Sequence, residues 1–131
     1  MTGQSRINDR AKAISAGRYD LVVEDYAYPL VMFISGQPQF LRDRAEAWAF
    51  FRAFHTALGA EGLSGLTGRV TAEDLPRDGR IRMWVDWSGI SPGRPPRHIA
   101  STVCYSRQDG GALVTEMVEF TLLDLRQQQA A

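Results

Sequence analysis

Glu116 is the residue whose type and setting most clearly suggest chemistry. It alternates with Val114 and Val118 along a strand-like segment, so the period of two predicts that its side chain points with theirs into an apolar interior. A carboxyl group in poorly solvated surroundings has a raised pKa and can serve as an acid or a base. The alternative interpretation is a glutamate near a strand end that reaches water or an arginine.

His55 is the second candidate for acid/base chemistry. It lies on the flank of a predicted apolar helix face, one turn from Phe51 and close to Leu58. Histidine titrates near neutral pH, so His55 and Glu116 could form an acid/base pair. We name these two as candidate catalytic residues. The alternative for His55 is a core histidine whose ring is satisfied by its neighbours.

The sequence predicts neither a metal site nor a cofactor. His55 and His98 are far apart, and no carboxylate stands at ligand spacing from them. The glycines of residues 59–68 lack the spacing of a phosphate loop or a dinucleotide-binding loop. Cys104 is the only cysteine, so no internal disulfide can form, and no clustered base or helix terminus is predicted to activate its thiol.

Length and composition predict one domain over residues 1–131, with residues 126–131 as a frayed tail. The chain has 15 basic and 15 acidic residues, so its formal net charge is zero. No whole-molecule field favours a polyanion or an anionic membrane, and neither nucleic acid nor a membrane is predicted as a partner. The first twenty residues contain no apolar run, so the sequence favours a cytoplasmic protein.

The elements that must position these side chains are three helices, a hairpin and a four-stranded antiparallel meander. Gly17 is typical of the end of a first helix, and Asp43 with Glu46 resembles the capping box that begins a third. The predicted helices cover residues 5–16, 19–26 and 43–58. The predicted hairpin covers residues 30–41, and the predicted strands cover residues 66–72, 80–88, 98–107 and 112–125.

Alternation within the predicted meander assigns the two faces of the sheet. The side chains expected inside are Ile81, Met83 and Val85, then Ile99, Val103 and Tyr105, and finally Val114, Val118, Phe120 and Leu122. The side chains expected outside are Arg82, Trp84 and Asp86, then Ala100, Thr102, Cys104 and Ser106, and finally Thr115, Met117, Glu119 and Thr121.

The outer face mixes large apolar side chains with charge, which suits an isologous homodimer better than bare solvent. Arg82 and Asp86 are expected to pair there, either within the chain or across the dimer. The residues predicted for the interface are Arg82, Trp84, Asp86, Cys104 and Met117.

The order of elements and a few short segments resemble the nuclear transport factor 2-like superfamily, which includes ketosteroid isomerases and SnoaL-like polyketide cyclases. The segments are residues 16–20 leading to Tyr26-Ala27, residues 66–70, Trp87-Ser88-Gly89 and residues 111–120. The resemblance implies an α+β fold of cystatin-like topology. In such a fold, a curved antiparallel sheet wraps on three N-terminal helices as a cone-shaped roll, and the cone encloses an apolar pocket.

The catalytic groups of ketosteroid isomerases are not matched in this sequence. By order and spacing, the positions of their carboxylate base and two oxyanion donors fall near Ile34, Arg10 and Ser101. None of these three can perform those tasks, because the base must accept a proton and the donors must offer one inside a dry pocket. Steroid isomerisation is therefore disfavoured even if the fold is shared.

Two functions remain open from the sequence. The first is a small-molecule-binding protein with an apolar pocket, extending to a cofactor-independent isomerase, cyclase or dehydratase of the SnoaL-like type that uses Glu116 and His55. The second is a non-catalytic dimeric interaction module with a filled cavity. The predicted pocket residues are Tyr19, Tyr26, Phe33, Trp48, Phe51, Met83, Ser101, Tyr105 and Phe120. A reachable cavity touching Glu116 would favour the first function.

Overall fold

Helices occupy the first half of the chain together with a hairpin, and strands occupy the second half. The structure is a computed structural model that describes residues 3–123. The helical elements are α1 (Gly3–Ser15), α2 (Tyr19–Val22), a 3-10 turn (Val23–Asp25) and α3 (Arg44–Ala60). The strands are β1 (Tyr26–Ile34), β2 (Gln37–Leu41), β3 (Gly65–Glu73), β4 (Arg80–Ile90), β5 (Arg97–Asp109) and β6 (Ala112–Leu122).

All six strands form one curved, unclosed sheet in the order β2-β1-β6-β5-β4-β3. β3 to β6 form the predicted antiparallel meander, and β1 joins it by pairing with β6 in parallel. The buried apolar residues lie between the helices and one face of the sheet. We call that face the inner face and the opposite one the outer face. The predicted α+β cone is thereby confirmed. The predicted frayed tail lies outside the described residues.

Both long helices end in the same hydrogen-bonded motif. At the end of α1, Arg18 N donates to Ala13 O at 2.8 Å, and Gly17 N donates to Ile14 O at 3.0 Å. Gly17 has a φ of 73°, which glycine adopts without the steric cost that a Cβ would bring. The prediction that Gly17 ends the first helix is confirmed. At the end of α3 the corresponding left-handed glycine is Gly62, three residues later than predicted.

The start of α3 is also as predicted. Asp43 Oδ1 accepts a hydrogen bond from Glu46 N at 2.9 Å, and Glu46 Oε1 accepts one from Arg42 N at 3.1 Å. The second helix is shorter than predicted, because α2 ends at Val22, a 3-10 turn follows it, and Tyr26 already begins β1. The spacing of its apolar residues fits either a helix or a turn followed by a strand, and pairing of β1 with β2 and β6 decides between them.

Side chains of α1 cover the exposed edge of β3. Gln4 accepts a hydrogen bond from Val70 N at 2.8 Å and donates one to Gly68 O at 2.9 Å, while Ser15 Oγ accepts one from Leu66 N at 2.9 Å. An uncovered edge strand presents unpaired backbone groups to other chains. Here α1 satisfies several of them, and it is thereby held against the sheet.

The predicted faces are right for β4 and wrong for most of β5. Met83, Val85 and Trp87 are buried on the inner face. On β5 the buried side chains beyond Ile99 are Ala100, Thr102, Cys104 and Ser106, which were expected outside, whereas Val103 and Tyr105 are only partly buried. The cause is a β-bulge, because Trp87 pairs with Ala100 and Ser88 pairs with His98, which leaves Ile99 as an extra residue.

A second bulge changes the faces of β6. Tyr105 pairs with Met117 and Ser106 pairs with Thr115, so Glu116 has no partner in the ladder. On one side of this bulge Val118 faces inward as predicted. On the other side Thr115, expected outside, is buried instead. An extra residue reverses the alternation of every residue beyond it.

Candidate functional site

An apolar cavity lies between α1, α3 and the inner face of the sheet. Ten of its lining residues are buried, and three aromatic ones, Phe50, Phe54 and Phe120, remain partly exposed. The entrance therefore lies among those three rings. The full lining is Arg10, Ile14, Tyr26, Met32, Phe50, Phe51, Phe54, Leu66, Trp87, Thr102, Cys104, Val118 and Phe120.

The cavity is narrow. The space open to the centre of a water molecule is about 30 Å³, and all space between the lining atoms, with the open mouth included, is about 450 Å³. The first value is enough for one or two small groups. A larger molecule can enter only if the rings at the entrance turn aside. The cavity expected from the sequence is thus present, but it does not touch Glu116.

Among residues 3–123, Arg10 is the one charged residue in the lining. Its side chain is 8% exposed, and its guanidinium lies 5.1 Å from the centre of the Tyr26 ring. Its nearest anion is Asp25, whose carboxylate is 3.7 Å away and 45% exposed. Arg10 Nε is buried without a hydrogen-bond partner. Burial acts to lower the pKa of Arg10, but Tyr26, Cys104 and Asp25 together raise it, so the group stays a cation.

Tyr26 is the nearest aromatic neighbour of this cation. Burial raises the pKa of the Tyr26 phenol, although the charge of Arg10 acts to lower it. Tyr26 therefore keeps its proton at neutral pH. Its ring also stacks on Phe51, with ring centres 5.7 Å apart and planes 22° apart. The pair joins the first strand to α3 at the wall of the cavity.

Trp87 and Thr102 form a second polar contact in the cavity lining. The indole Nε1 of Trp87 donates a hydrogen bond to Thr102 Oγ1 at 2.9 Å, and both groups are buried. A second Thr102 contact joins its hydroxyl to Cys104 Sγ at 3.9 Å. The hydrogen bond from Trp87 to Thr102 satisfies the indole N–H, which is the only polar group of the Trp87 side chain.

Replacing Thr102 with valine should lower the free energy of unfolding by about 1–3 kcal/mol, because the shape is kept while the buried indole N–H loses its acceptor. Thr102→Ser is the matched control, since it keeps the hydroxyl and removes only a methyl group. Urea denaturation of the three proteins measures the difference. A valine variant as stable as the serine variant would show that this hydrogen bond contributes nothing.

The structure brings three of the nine predicted pocket residues to the cavity, namely Tyr26, Phe51 and Phe120. Tyr19 is buried, but it contacts Trp48 and His55 instead. Three others point to the outer face: Phe33 opposite Glu119, Ser101 toward Asp86, and Tyr105 toward Glu119. The last two lie on the outer face because the bulge at Ile99 shifts the alternation of β5.

Two further pocket predictions also fall elsewhere. Trp48 lies on α3, but it is 39% exposed and meets the Tyr19 ring edge to face at 5.5 Å. Met83 is buried beneath the start of α1, where its sulfur lies next to Gly3. Helical spacing located the apolar face of α3 correctly, but it could not separate the cavity wall from the neighbouring surface.

Glu116 does not point into the cone. It stands at the bulge of β6, 35% exposed, and its Oε1 lies 2.5 Å from Arg107 Nε. This is the alternative interpretation of Glu116, an ion pair with an arginine. Arg107 shares the outer face of β5 with Tyr105, so Glu116 and the cavity lie on opposite sides of the sheet. The expectation of an inward carboxylate was wrong, because the strand alternation reverses at Glu116 itself.

His55 is not brought together with Glu116. Its Nδ1 lies 2.5 Å from the hydroxyl of Tyr19, and the two rings meet edge to face at 5.8 Å. The ring lies outside the cavity lining. His55 is therefore placed as a partly buried histidine satisfied by a neighbour, which is the alternative stated for it.

Some of the cavity-lining residues that were not predicted could have been found from sequence patterns, and others could not. Arg10 follows Ile7 by three residues and precedes Ile14 by four, so helical spacing already put it on the buried face of α1. Trp87 lies two residues beyond Val85 on the same strand, so strand alternation already put it on the inner face with Met83 and Val85. Met32 lies in an unbroken apolar run, in which alternation does not show which side chains face inward. Thr102 and Cys104 were missed because the bulge at Ile99 reverses the alternation of β5.

The outer face holds four of the five residues predicted for a dimer interface. Trp84 and Met117 are partly exposed there, and the guanidinium of Arg82 lies 5.1 Å from the Trp84 ring centre. Cys104 is the exception, since it is 2% exposed in the cavity wall.

The expected pair of Arg82 and Asp86 is not present. Arg82 Nε instead lies 2.6 Å from Asp74. Asp86 accepts a hydrogen bond from Ser101 at 2.9 Å and has Arg69 at 3.9 Å. Both residues are thus engaged with other neighbours on the same face.

Within residues 3–123, no group of three or more histidine, cysteine, aspartate or glutamate side chains could hold a metal ion. None of the helices in that range has the length and apolar character needed to cross a bilayer.

No family model and no curated protein matches the sequence. Solved structures do match. A domain of unknown function with a cystatin-like fold from Nostoc punctiforme is 20% identical, with a TM-score of 0.69 over 99% of this chain and 85% of that one. An NTF2-like protein with a cystatin-like fold from Novosphingobium aromaticivorans is 16% identical, with a TM-score of 0.65 over 92% of this chain and 79% of that one.

A third structure is described as a putative calcium/calmodulin-dependent protein kinase type II association domain from Thiobacillus denitrificans. It is 19% identical, with a TM-score of 0.64 over 86% of this chain and 88% of that one. Identities at this level establish the fold alone. The chain has the cystatin-like fold of the nuclear transport factor 2-like proteins.

Proposed function

We propose that this protein binds a small, mostly apolar organic molecule in the cavity between α3 and the inner face of the sheet. The observation that carries the proposal is the cavity itself, whose walls are apolar and aromatic apart from the side chains of Arg10, Thr102 and Cys104 and the hydroxyl of Tyr26. Ligand sites in proteins combine such walls with a few convergent polar groups. The nuclear transport factor 2-like fold is compatible with this use.

The narrowness of the cavity defines the size of the ligand. One or two small groups fit the existing space, and a longer molecule must displace the rings of Phe50, Phe54 or Phe120. Phe54 and Phe120 meet edge to face with ring centres 5.6 Å apart. Such a contact is worth about 0.5–1.5 kcal/mol beyond the area that it buries. Opening the entrance therefore has a small cost compared with burying several methylene groups of a ligand.

Binding alone is the function that we propose. Isomerase, cyclase or dehydratase chemistry of the SnoaL-like type requires a general base within reach of the substrate. Within residues 3–123 the cavity lining includes no carboxylate and no imidazole. Glu116 is on the outer face with Arg107, and His55 contacts Tyr19. Neither supports the acid/base role expected from the sequence.

Methionine methyl groups provide a direct test. Met32 lines the cavity, Met83 is buried elsewhere, and Met117 lies on the outer face. A titration of methyl-¹³C-methionine protein with 1-pentanol should shift the Met32 signal in a saturable way and leave Met83 and Met117 in place. If all three signals move together and linearly, or if none moves, the cavity does not bind small apolar molecules.

A homodimer formed through the outer face is the second candidate function. Its specific support is a sheet face that leaves Trp84 and Met117 partly exposed to solvent, since large apolar side chains exposed together can mark an association site. One of the similar folds is described as an association domain. The occupant that we propose is a second copy of this chain, because the twofold dimer with an isologous interface is the commonest homo-oligomer.

Trp84→Glu should convert the dimer into a monomer, because it replaces a large apolar ring at the proposed interface with a carboxylate that association would have to desolvate in both subunits at once. Light scattering of the unaltered and substituted proteins measures the change. Trp48→Glu is the matched control: Trp48 is 39% exposed on α3, away from the sheet, and its replacement should leave the mass of the assembly unchanged. A monomeric unaltered protein would refute the proposed interface.

A further inference from the structure

A buried cation without a matching buried anion faces the proposed binding cavity. Arg10 is 8% exposed and lines the cavity, and its Nε lacks a hydrogen-bond partner. Its ion pair with Asp25 joins NH2 to the carboxylate over 3.7 Å, and that carboxylate is 45% exposed. The pair is long and partly solvated, and the guanidinium also contacts the Cys104 side chain. Its Nε is still left without a hydrogen-bond partner.

Burying the Arg10 guanidinium with Nε unpaired costs free energy unless a further hydrogen-bond acceptor completes the site. Taking a guanidinium out of water costs several kcal/mol, and good geometry with further hydrogen bonds is needed to offset that cost. A buried donor left unsatisfied adds its own desolvation penalty. The Tyr26 ring, 5.1 Å from the guanidinium carbon, offsets part of it through a cation–π contact. It offers no acceptor to Nε.

The chemistry that would complete the site is a planar anion. A guanidinium presents its N–H groups in a fixed fork that matches the two oxygens of a carboxylate. The remaining lining of the cavity is suited to hydrocarbon, with Met32, Phe51 and Val118 among its apolar walls. A ligand with both parts would fill the cavity and satisfy the cation together.

We propose that the ligand of this cavity is a small organic acid whose carboxylate pairs with Arg10 and whose hydrocarbon part lies against the apolar walls. This inference rests on the proposed binding function. Arg10 is buried, whereas Phe50, Phe54 and Phe120 are partly exposed, so the acid lies with its carboxylate inward and its hydrocarbon end toward those rings. Arg10 is then the residue that determines specificity.

The competing account is that Arg10 only joins α1 to Asp25 and has no ligand. The two accounts differ in what they predict for an acid and its amide, which have nearly the same size and shape. If Arg10 recognises a carboxylate, the acid binds more tightly. If Arg10 is structural, the acid binds no better than the amide, because burying a carboxylate then costs solvation without gain.

The test compares pentanoate with pentanamide at neutral pH, with the Met32 methyl signal as the measure of binding. Pentanoate should bind at least about tenfold more tightly, since a hydrogen bond to a charged group contributes about 1.5–3 kcal/mol and 1.4 kcal/mol is tenfold. Arg10→Met should abolish this preference while 1-pentanol still binds. Arg107→Met, which removes an arginine from the outer face, should keep the preference.

The outcomes separate the two proposals. If 1-pentanol fails to bind the unaltered protein, the cavity proposal fails. If 1-pentanol binds but pentanoate shows no advantage over pentanamide, the cavity stands and the assignment of Arg10 is wrong. The same conclusion follows if Arg10→Met keeps the preference. Should Arg10→Met not fold, the ratio of the two affinities in the unaltered protein still decides.

Discussion

Replacing Phe51 with alanine is expected to lower the free energy of unfolding by about 3–5 kcal/mol, the usual cost of deleting a buried aromatic side chain. Phe51 is 6% exposed and contacts two rings, stacking on Tyr26 at 5.7 Å and meeting Phe50 edge to face at 5.3 Å. The loss combines the transfer free energy of the phenyl ring with the cost of the space left behind. Urea denaturation of the unaltered protein and of the variant measures the difference between their free energies of unfolding.

The same substitution should change binding in the opposite sense. Because Phe51 lines the cavity, its removal enlarges the apolar space next to Arg10 and Met32. Pentanoate and longer acids should then bind the variant more tightly than the unaltered protein, and saturating ligand should restore part of the lost stability. Phe40→Ala is the control, since Phe40 is 60% exposed on β2. Its effect on both properties should be small.

Two results would contradict this account of Phe51. One is a stability loss no greater than that of Phe40→Ala, which would mean that the ring is not packed as described. The other is a variant that is destabilised as expected but no longer shifts the Met32 signal with any probe. That second result would mean that the space collapses when the ring is removed, and that Phe51 shapes the cavity and does not merely bound it.

Gly68→Ala should lower the free energy of unfolding by about 1–3 kcal/mol, although it adds only one methyl group. A Cβ at Gly68 would lie 2.6 Å from Ile7 Cγ2 and 2.8 Å from Trp87 Cζ3, whereas carbon atoms in contact are about 3.5–4.0 Å apart. Ile7 is 0% exposed and Trp87 is 6% exposed. Neither can move aside without disturbing the core between α1 and the sheet.

Gly65→Ala is the matched control, on the same strand. Its Cβ would meet Ser15 Oγ at 3.5 Å, an ordinary contact. The alanine should be neutral or stabilise the protein by up to about 1 kcal/mol, because it restricts the unfolded chain. Thermal unfolding of both variants compares the two sites. Equal stability of the two would show that the close approach of Trp87 to Gly68 is relaxed in solution.

Gly68→Ala also tests how the fold positions the cavity. The indole of Trp87 packs against Gly68 on one side and lines the cavity on the other. A methyl group at Gly68 must push this ring toward Thr102, its hydrogen-bond acceptor. The variant should therefore bind pentanoate more weakly than the Gly65→Ala control even under conditions in which both are fully folded.

Local signals in the sequence predicted the helices and strands well, because those signals act within a few residues. Asp43 and Glu46 mark the start of α3, and Gly17 marks the end of α1. Each satisfies backbone groups that a helix terminus leaves unpaired, whatever the rest of the chain does. The local signals failed at Tyr26, where pairing between distant strands overrode helical spacing, and at the end of α3, which Gly62 marks instead of Gly59.

The candidate site was less predictable, because one residue at each of two bulges decides it. Alternation assigns a whole strand from one known residue, and a bulge reverses every assignment beyond it. Ile99 and Glu116 are the extra residues. The bulge at Ile99 turns Thr102 and Cys104 into the interior and Ser101 and Tyr105 to the outer face. The bulge at Glu116 leaves that carboxylate beside Arg107 on the outer face.

The sequence by itself determined the α+β class, the order of the elements and the apolar faces of α1 and α3, because periodicity and capping are properties of short segments. Only the tertiary structure decided which β5 and β6 side chains face the helices, since strand register depends on pairing between segments far apart in the chain. It also decided the surroundings of Arg10. Its helical position predicted burial, but the contacts of its guanidinium depend on Asp25, Tyr26 and Cys104, which three separate elements bring to it.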